Sequence, residues 1–114
     1  MKTIFCDIDG TLLQHHGNVF KQLKNNPVVL DGTIEKLIEW DRKGYTIILT
    51  TGRRESTRVA TEKQLNSIGV FYDRLIMGIG SGPRYLINDC KSNGDETAYA
   101  IKIKRNEGIK NVEI

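Results

Sequence analysis

The sequence has few of the features that mark membrane, secreted or nucleic-acid-binding proteins. Its 114 residues include only two cysteines, and no secretory signal is visible, so we expect reduced thiols in a cytoplasmic protein. No stretch approaches the roughly 20 apolar residues of a membrane-spanning helix. The basic residues are dispersed and do not alternate with aromatic residues along a stripe, so a nucleic-acid partner is unexpected.

The composition is that of an ordinary folded domain. Hydrophobic residues make up 39% of the chain and charged residues 27%, which argues against disorder. The length suits one small domain spanning residues 1–114. The net charge of +3 permits an anionic small-molecule substrate.

Apolar runs alternate with helical patterns along most of the chain. The spacing predicts strands at 2–8, 45–50, 72–79, 85–88 and 109–114, with helices at 33–43, 55–68 and 95–107. This order is typical of an α/β fold, a three-layer Rossmann-like arrangement around a mostly parallel sheet. Residues 14–29 have no clear period, and we expect a loop or short hairpin that acts as a flap beside the functional site.

Two carboxylates, Asp7 and Asp9, stand one residue apart where the first strand ends, and Gly10 follows at once. The carboxyl ends of parallel strands face the crevice in which α/β proteins bind ligands. Two carboxylates so close repel each other unless a positive charge holds them. The pattern therefore predicts a site for a hard divalent cation, and Mg²⁺ is the usual partner where phosphate is also bound.

The run Asp7-Ile8-Asp9-Gly10-Thr11 after an apolar strand resembles the signature of the haloacid dehalogenase-like (HAD) phosphohydrolase superfamily. The resemblance extends over nearly the whole chain and implies the HAD-like fold and a Mg²⁺-dependent phosphatase. It implies that Asp7 is the nucleophile, forming an aspartyl-phosphate. It also implies that Asp9 is the general acid and base and ligates the metal through its backbone carbonyl.

The resemblance assigns further roles to residues at the other predicted strand ends. Thr51, with Thr50 as the neighbouring candidate, would contact the phosphoryl group together with the Gly52 amide. Asp89 would complete the metal site, and Asn88 would orient it. The order of strands in similar proteins, with strands one, two and four adjacent, would bring these residues to Asp7.

The cation of the family's third motif is the clearest departure from the common pattern. Many relatives have Gly-Lys-Pro after strand three, whereas this chain has Gly78-Ile79-Gly80. Arg84 is the predicted replacement and Lys91 the second choice, each offsetting charge on the transferred phosphoryl group. Arg53 would either bind an anionic group of the substrate or lie solvated at the start of a helix.

No segment between these motifs is long enough for a cap domain, so the chain resembles the small capless type, in which a second copy often supplies a lid. A sugar phosphate is the first substrate expected. A nucleotide or nucleic-acid end is an alternative, and so is a non-catalytic module that binds a metal or a phosphorylated ligand. A receiver domain is disfavoured because its phosphorylated Asp lies on a later strand.

Overall fold

Three parallel strands form the centre of the fold. The computed structural model describes residues 1–114 and contains β1 (Thr3–Asp7), β2 (Thr46–Thr50) and β3 (Arg74–Ile76), in the sheet order β1-β2-β3. Asp7 lies opposite Thr50, and Thr50 lies opposite Ile76. The carboxyl ends of the three strands therefore lie side by side at one edge of the sheet, as the sequence predicts.

The helices precede or connect these strands. They are α1 (Val19–Lys24), α2 (Thr33–Arg42) and α3 (Arg58–Ser67), the last preceded by a 3₁₀ turn at Glu55–Thr57. On α2, Leu37 and Trp40 recur at helical spacing and are buried. Gly44 follows that helix with a φ of +77°, the left-handed conformation that ends many helices and that glycine adopts without strain.

The two faces of the sheet differ sharply in exposure. Ile4, Cys6, Ile47, Leu49 and Leu75 alternate along the strands on one face and are buried in a single core with side chains of α2 and α3. On the opposite face Phe5 is 58% and Ile76 41% exposed. Right-handed crossovers put both helices on the same face because the sheet grows in one direction from β1 to β3. The face that carries Asp7 is therefore left open.

The predicted elements after Ile76 are not formed, so the predictions of a fourth strand at 85–88, a helix at 95–107 and an edge strand at 109–114 are wrong. A fourth strand beside β1 would need a crossover from β3, and such parallel connections take about a dozen residues or more. The connecting segment, residues 77–84, is shorter than that. In the segment predicted as a helix Tyr99 is 78% exposed, and short helices that bury little apolar surface are marginal in water.

The end of the chain instead returns to the core as turns. Ile109 is 3% exposed, and its N–H donates to the Asp31 carbonyl at 2.9 Å. Val112 N–H donates back to the Ile109 carbonyl at 3.0 Å, which makes a turn where an edge strand is predicted. Lys36 of α2 pairs with Glu113 at 3.2 Å and fastens this turn to the helix.

Residues 14–29 are more structured than the predicted loop, because α1 lies within them. An antiparallel bridge between Leu13 and Val29 closes the base of the segment, which contains this helix and no two-stranded hairpin. The parallel sheet with packed helices confirms the α/β class. None of the helices has the length and apolar character needed to cross a membrane.

Candidate active site

Asp7 ends β1 on the open face of the sheet, directly before a tight turn. Within that turn the Ile8 carbonyl accepts from the N–H groups of Thr11, Leu12 and Leu13 at 2.9–3.1 Å. The Thr11 hydroxyl donates to Asp7 Oδ2 at 3.4 Å. Gly10 has a φ of +91°, so the chain can reverse there without the strain that a side chain would bring.

Partial burial raises the pKa of the Asp7 carboxyl above its ordinary value, since burial disfavours the charged form. The Arg84 guanidinium opposes this shift in the pKa, and the Asp9 carboxylate adds to it by repulsion. The Asp7 carboxylate is thus an anion at a place that favours a neighbouring positive charge. That is the electrostatic character expected where a cation is to bind.

Asp9 lies two residues further on and points into a polar cluster. Arg53 Nε donates to Asp9 Oδ2 at 2.9 Å, and Arg53 Nη2 donates to Oδ1 at 2.8 Å. The Arg53 side chain is only 2% exposed and that of Asp9 14%. Charge-assisted bonds at two points are the strong, geometrically specific kind of ion pair.

The remaining contacts of Arg53 show that one of its two predicted environments, the solvated start of a helix, is wrong. Its Nη1 donates to Gln64 Oε1 at 2.8 Å and to Thr61 Oγ1 at 3.3 Å, so the side chain is buried and not solvated at a helix start. Four of the five N–H groups of a guanidinium are thereby used. The predicted contact with substrate stays a prediction, for which one N–H remains.

Two glutamines that the sequence analysis does not single out complete the cluster. Gln22 Nε2 donates to Asp9 Oδ1 at 2.7 Å, and Gln64 Nε2 donates to the Gln22 carbonyl at 2.8 Å. Both come from helices distant in sequence from Asp9, and no local motif marks either one. Glutamine on a helix is ordinarily a surface residue, which is why pattern reasoning passes over it.

The two threonines at the end of β2 have different environments. Thr50 is half-buried and lies opposite Asp7 on the open face. Thr51 is 1% exposed, and its Oγ1 accepts the Arg53 N–H at 3.1 Å. Thr50 is therefore the threonine whose side chain shares a face with Asp7, whereas Thr51 shapes the turn. Gly52, beside it, is exposed.

The two candidate cations of the third motif, Arg84 and Lys91, lie in different places relative to Asp7. Arg84 Nη2 lies 3.8 Å from Asp7 Oδ1, and both side chains are partly exposed. Lys91 is exposed in the following segment, where its backbone N–H donates to the Asp95 carbonyl at 3.0 Å. Of the two, Arg84 is the one that the fold brings to Asp7.

Asp89 does not lie among the other acids, since no three His, Cys, Asp or Glu residues are grouped closely enough to hold a metal ion. It is exposed, and its carbonyl accepts from Thr97 Oγ1, while Asn88 Nδ2 donates to the same hydroxyl oxygen at 2.9 Å. Asp89 therefore does not complete a metal site with Asp7 and Asp9 in this arrangement.

The chain comes back to the acidic turn after this segment. Asn106 N–H donates to the Gly10 carbonyl at 2.8 Å, and Asn106 Oδ1 accepts from the His15 N–H at 2.7 Å. A Cβ on Gly10 would lie 3.1 Å from Arg105 Cγ, so the Arg105 side chain packs directly against the Gly10 backbone. Residues 105 and 106 thus cover the turn that follows Asp9.

The donor atoms near Asp7 are suited to Mg²⁺. The Asp7 carboxylate and the Asp9 backbone carbonyl are hard oxygen ligands, and the backbone hydrogen bonds around the turn are accepted by the Ile8, Gly10 and Leu13 carbonyls, which leaves the Asp9 carbonyl free. The Asp9 carboxylate is held by Arg53 and Gln22 and is not free to bind a metal. Mg²⁺ commonly uses one or two protein ligands and completes its shell with water and substrate phosphate.

Comparison with solved structures places the fold among known proteins. A chain in the Pnkp1/Rnl/Hen1 RNA repair complex is 27% identical and superposes with a TM-score of 0.57 over 73% of this chain and 27% of its own length. In a second structure of the Pnkp1/Rnl/Hen1 complex the match is 26% identical, with a TM-score of 0.59 over 74% of this chain. This chain spans 30% of that protein's length.

A third similar structure is D,D-heptose 1,7-bisphosphate phosphatase from B. bronchiseptica in complex with magnesium and phosphate. It is 21% identical, with a TM-score of 0.54 over 71% of this chain and 52% of its own, and it supports the fold alone. No curated protein matches the sequence. The family model for haloacid dehalogenase-like hydrolases matches residues 4–75, which include β1, both acids and the Arg53 turn. The chain belongs to the haloacid dehalogenase-like hydrolase family.

Proposed function

We propose that this protein is a Mg²⁺-dependent phosphatase that hydrolyses phosphomonoesters through an aspartyl-phosphate on Asp7. The observation that carries the proposal is the position of the Asp7 carboxylate. It lies at the end of a parallel strand, opposite Thr50 and 3.8 Å from the Arg84 guanidinium, in a member of a hydrolase family. An anionic nucleophile with hydroxyl and cationic donors beside it suits phosphoryl transfer, which depends on positioning and charge neutralisation.

These positions support a role for each residue. An Asp7 carboxylate oxygen attacks phosphorus, Arg84 offsets charge on the phosphoryl oxygens, and the Thr50 hydroxyl and the exposed Gly52 amide are the nearby neutral donors. The Asp9 carboxyl, held beside Asp7 by Arg53, gives a proton to the leaving oxygen and later takes one from water. Bound Mg²⁺, held by the Asp7 carboxylate and the Asp9 carbonyl, would neutralise the charge that collects on the phosphoryl group.

A small phosphorylated substrate such as a sugar phosphate is the first candidate. The face of the sheet that carries Asp7 is open, and no inserted domain lies between Asp9 and Thr51 or between Thr51 and Arg84. An open site of this kind reaches a phosphate on a larger molecule equally well. A phosphorylated RNA end is therefore the second candidate, favoured by the 27% identity to a chain of an RNA repair complex.

The one-domain organisation and the flap role of residues 14–29 are part of the proposal. The single core of 14 buried residues includes Ile4 from the start of β1 and Ile109 near the end of the chain, which supports one folding unit. Gln22 in α1 touches Asp9, so the segment borders the site. A second copy acting as a lid over the open face would exclude water from the site.

The test is phosphate release from sugar phosphates, nucleotides, a 3′- or 5′-phosphorylated oligoribonucleotide and p-nitrophenyl phosphate, each with Mg²⁺ and with EDTA. We expect release that requires Mg²⁺ and that Asp7→Asn abolishes, because Asn keeps the shape and removes the nucleophile. Arg54→Gln, which changes an exposed residue next to the site, serves as the matched control. If the folded protein binds Mg²⁺ but releases phosphate from none of the compounds, the phosphatase proposal is wrong and a non-catalytic binding module is the better interpretation.

A further inference from the structure

Gln22 is a polar side chain in an unusually enclosed position, only 3% exposed on the short helix α1. Its Nε2 donates to Asp9 Oδ1 at 2.7 Å and to the Gln14 carbonyl at 3.0 Å. Its Oε1 accepts from the His16 N–H. The amide nitrogen thus faces two acceptors and the amide oxygen faces a donor, so one orientation of the amide is fixed.

The contacts of Gln22 belong to a closed ring of hydrogen bonds. Arg53 donates to Asp9 and, through Nη1, to Gln64 at 2.8 Å. Gln64 donates to the Gln22 carbonyl at 2.8 Å, and the Gln22 side chain donates to Asp9, which closes the ring. The ring joins α1 and α3 to the acidic turn. A cyclic, largely buried network of this kind holds its members in a single arrangement.

The two carboxylate oxygens of Asp9 accept different numbers of hydrogen bonds within the ring. Oδ1 accepts from both Gln22 Nε2 and Arg53 Nη2, whereas Oδ2 accepts from Arg53 Nε alone. A carboxylate has about four lone-pair sites, two on each oxygen. Oδ1 is therefore saturated, and Oδ2 keeps one free acceptor position. Gln22 is the residue that creates this difference.

We infer that Gln22 is a positioning residue that occupies Asp9 Oδ1 and directs proton transfer to Oδ2; the inference rests on the phosphatase proposed above. In the first step an Asp7 oxygen bonds to phosphorus, the ester P–O bond breaks, and the proton on Asp9 Oδ2 passes to the leaving oxygen. In the second step a water oxygen bonds to phosphorus, the bond from Asp7 to phosphorus breaks, and Asp9 Oδ2 takes the proton from that water.

A comparison of leaving groups tests this role. The leaving group of glycerol 1-phosphate is an alkoxide that needs a proton, whereas p-nitrophenolate leaves readily without one. General acid catalysis contributes about 10²–10⁴-fold where it is needed. Gln22→Met keeps the length of the side chain and removes the donor. We expect it to lower kcat/KM for glycerol 1-phosphate by about 10-fold or more, with kcat/KM for p-nitrophenyl phosphate within about threefold, because kcat/KM reports the steps up to departure of the leaving group and only the alkoxide needs the proton there.

Lys24→Met, on an exposed position of the same helix, is the matched control and should leave both substrates unaffected. If circular dichroism shows that the Met variant folds poorly, Gln22→Asn takes its place, because the Asn side chain is polar but too short to reach Asp9. It should show the same difference between the two substrates. Equal losses for the two substrates, or no loss for either, overturn the positioning role while the phosphatase stands. A wild-type protein that releases phosphate from none of the compounds, these two included, overturns the phosphatase itself, and the inference with it.

Discussion

Arg53 and Asp9 form a two-point ion pair at the edge of the sheet, with Nε–Oδ2 at 2.9 Å and Nη2–Oδ1 at 2.8 Å. The two residues are separated by the whole of α1, α2 and β2, so this pair ties the second strand's turn to the first strand's turn. Because Arg53 occupies both oxygens, the Asp9 carboxylate is not free to bind a metal. The pair is therefore both structural and, in the proposed mechanism, positioning.

Loss of this pair should cost considerable stability. Arg53→Met leaves a largely buried carboxylate without its cation, and removing one partner of a buried pair typically lowers the free energy of unfolding by about 3–5 kcal/mol. Arg53→Lys keeps the charge but not the two-point geometry, so we expect an intermediate loss. Urea denaturation measures both changes. Arg54→Met, at the exposed neighbour, should change the free energy of unfolding by less than about 0.5 kcal/mol; an equal effect of the two Met variants would contradict the arrangement.

Neutralising Asp7 should stabilise the metal-free protein at neutral pH. The pKa of Asp7 is raised in the folded state, so between the unfolded and folded pKa values the folded protein binds more protons. The free energy of unfolding therefore falls as pH rises through that window. Asp7→Asn has no carboxyl at this position and does not lose this stability. Its Tm in EDTA should therefore exceed that of the wild type at pH 7, and the difference should vanish below about pH 4.

Thermal unfolding in EDTA at several pH values measures this difference. Added Mg²⁺ should raise the Tm of the wild type and leave Asp7→Asn nearly unchanged, because a ligand stabilises only the form that binds it. A wild-type Tm above that of Asp7→Asn in EDTA at neutral pH would show that the Asp7 charge is already compensated without a metal.

Asp89 is a metal ligand in the site predicted from the motif but not in the site proposed from the structure. Asp89 is exposed and engaged within its own segment, so Asp89→Asn should change the Mg²⁺ dissociation constant by less than about twofold. Asp7→Asn should weaken binding by more than about 10-fold, since it removes a coordinating carboxylate. Isothermal calorimetry compares the two variants. Equal weakening by both would mean that residues 84–105 rearrange when Mg²⁺ binds.

The two cysteines should differ greatly in reactivity. Burial, with a smaller contribution from the Asp7 charge, raises the pKa of the Cys6 thiol to about 12, and Cys90 is exposed. Only the thiolate reacts, so at pH 8 roughly one Cys6 side chain in 10⁴ is reactive. Iodoacetamide labelling followed by peptide mass spectrometry should modify Cys90 first and Cys6 only in denaturant. Comparable rates in the native protein would show that the β1 face carrying Cys6 is open.

The parts of the fold that the sequence predicts well are those set by local pattern. The apolar run before Asp7, the helical spacing of Leu37 and Trp40, and the β-branched run before Thr50 all specify their elements within a few residues. The same local signals put the acids and the threonines at strand ends. Their meeting at one edge then follows from parallel topology alone.

The parts that the sequence predicts poorly depend on long-range geometry. The 85–88 segment has a strand-like composition, but residues 77–84 are too short to carry it across the sheet, and that length is the signal that would have argued against a fourth strand. The contacts of Gln22 and Gln64 with the Asp9–Arg53 pair join helices that are separate in sequence. Nothing in the local pattern distinguishes these glutamines from exposed ones, so only the folded arrangement shows them.

The most direct measurement is the search for a phosphoryl group on Asp7 itself. The wild-type protein is mixed with Mg²⁺ and p-nitrophenyl phosphate, quenched in acid within the first turnover, and digested for mass spectrometry, with Asp7→Asn treated in parallel. The account predicts a phosphoryl adduct on the peptide that contains Asp7 in the wild type and neither adduct nor phosphate release in Asp7→Asn. Phosphate release by Asp7→Asn at the wild-type rate, with no adduct on either protein, would contradict it.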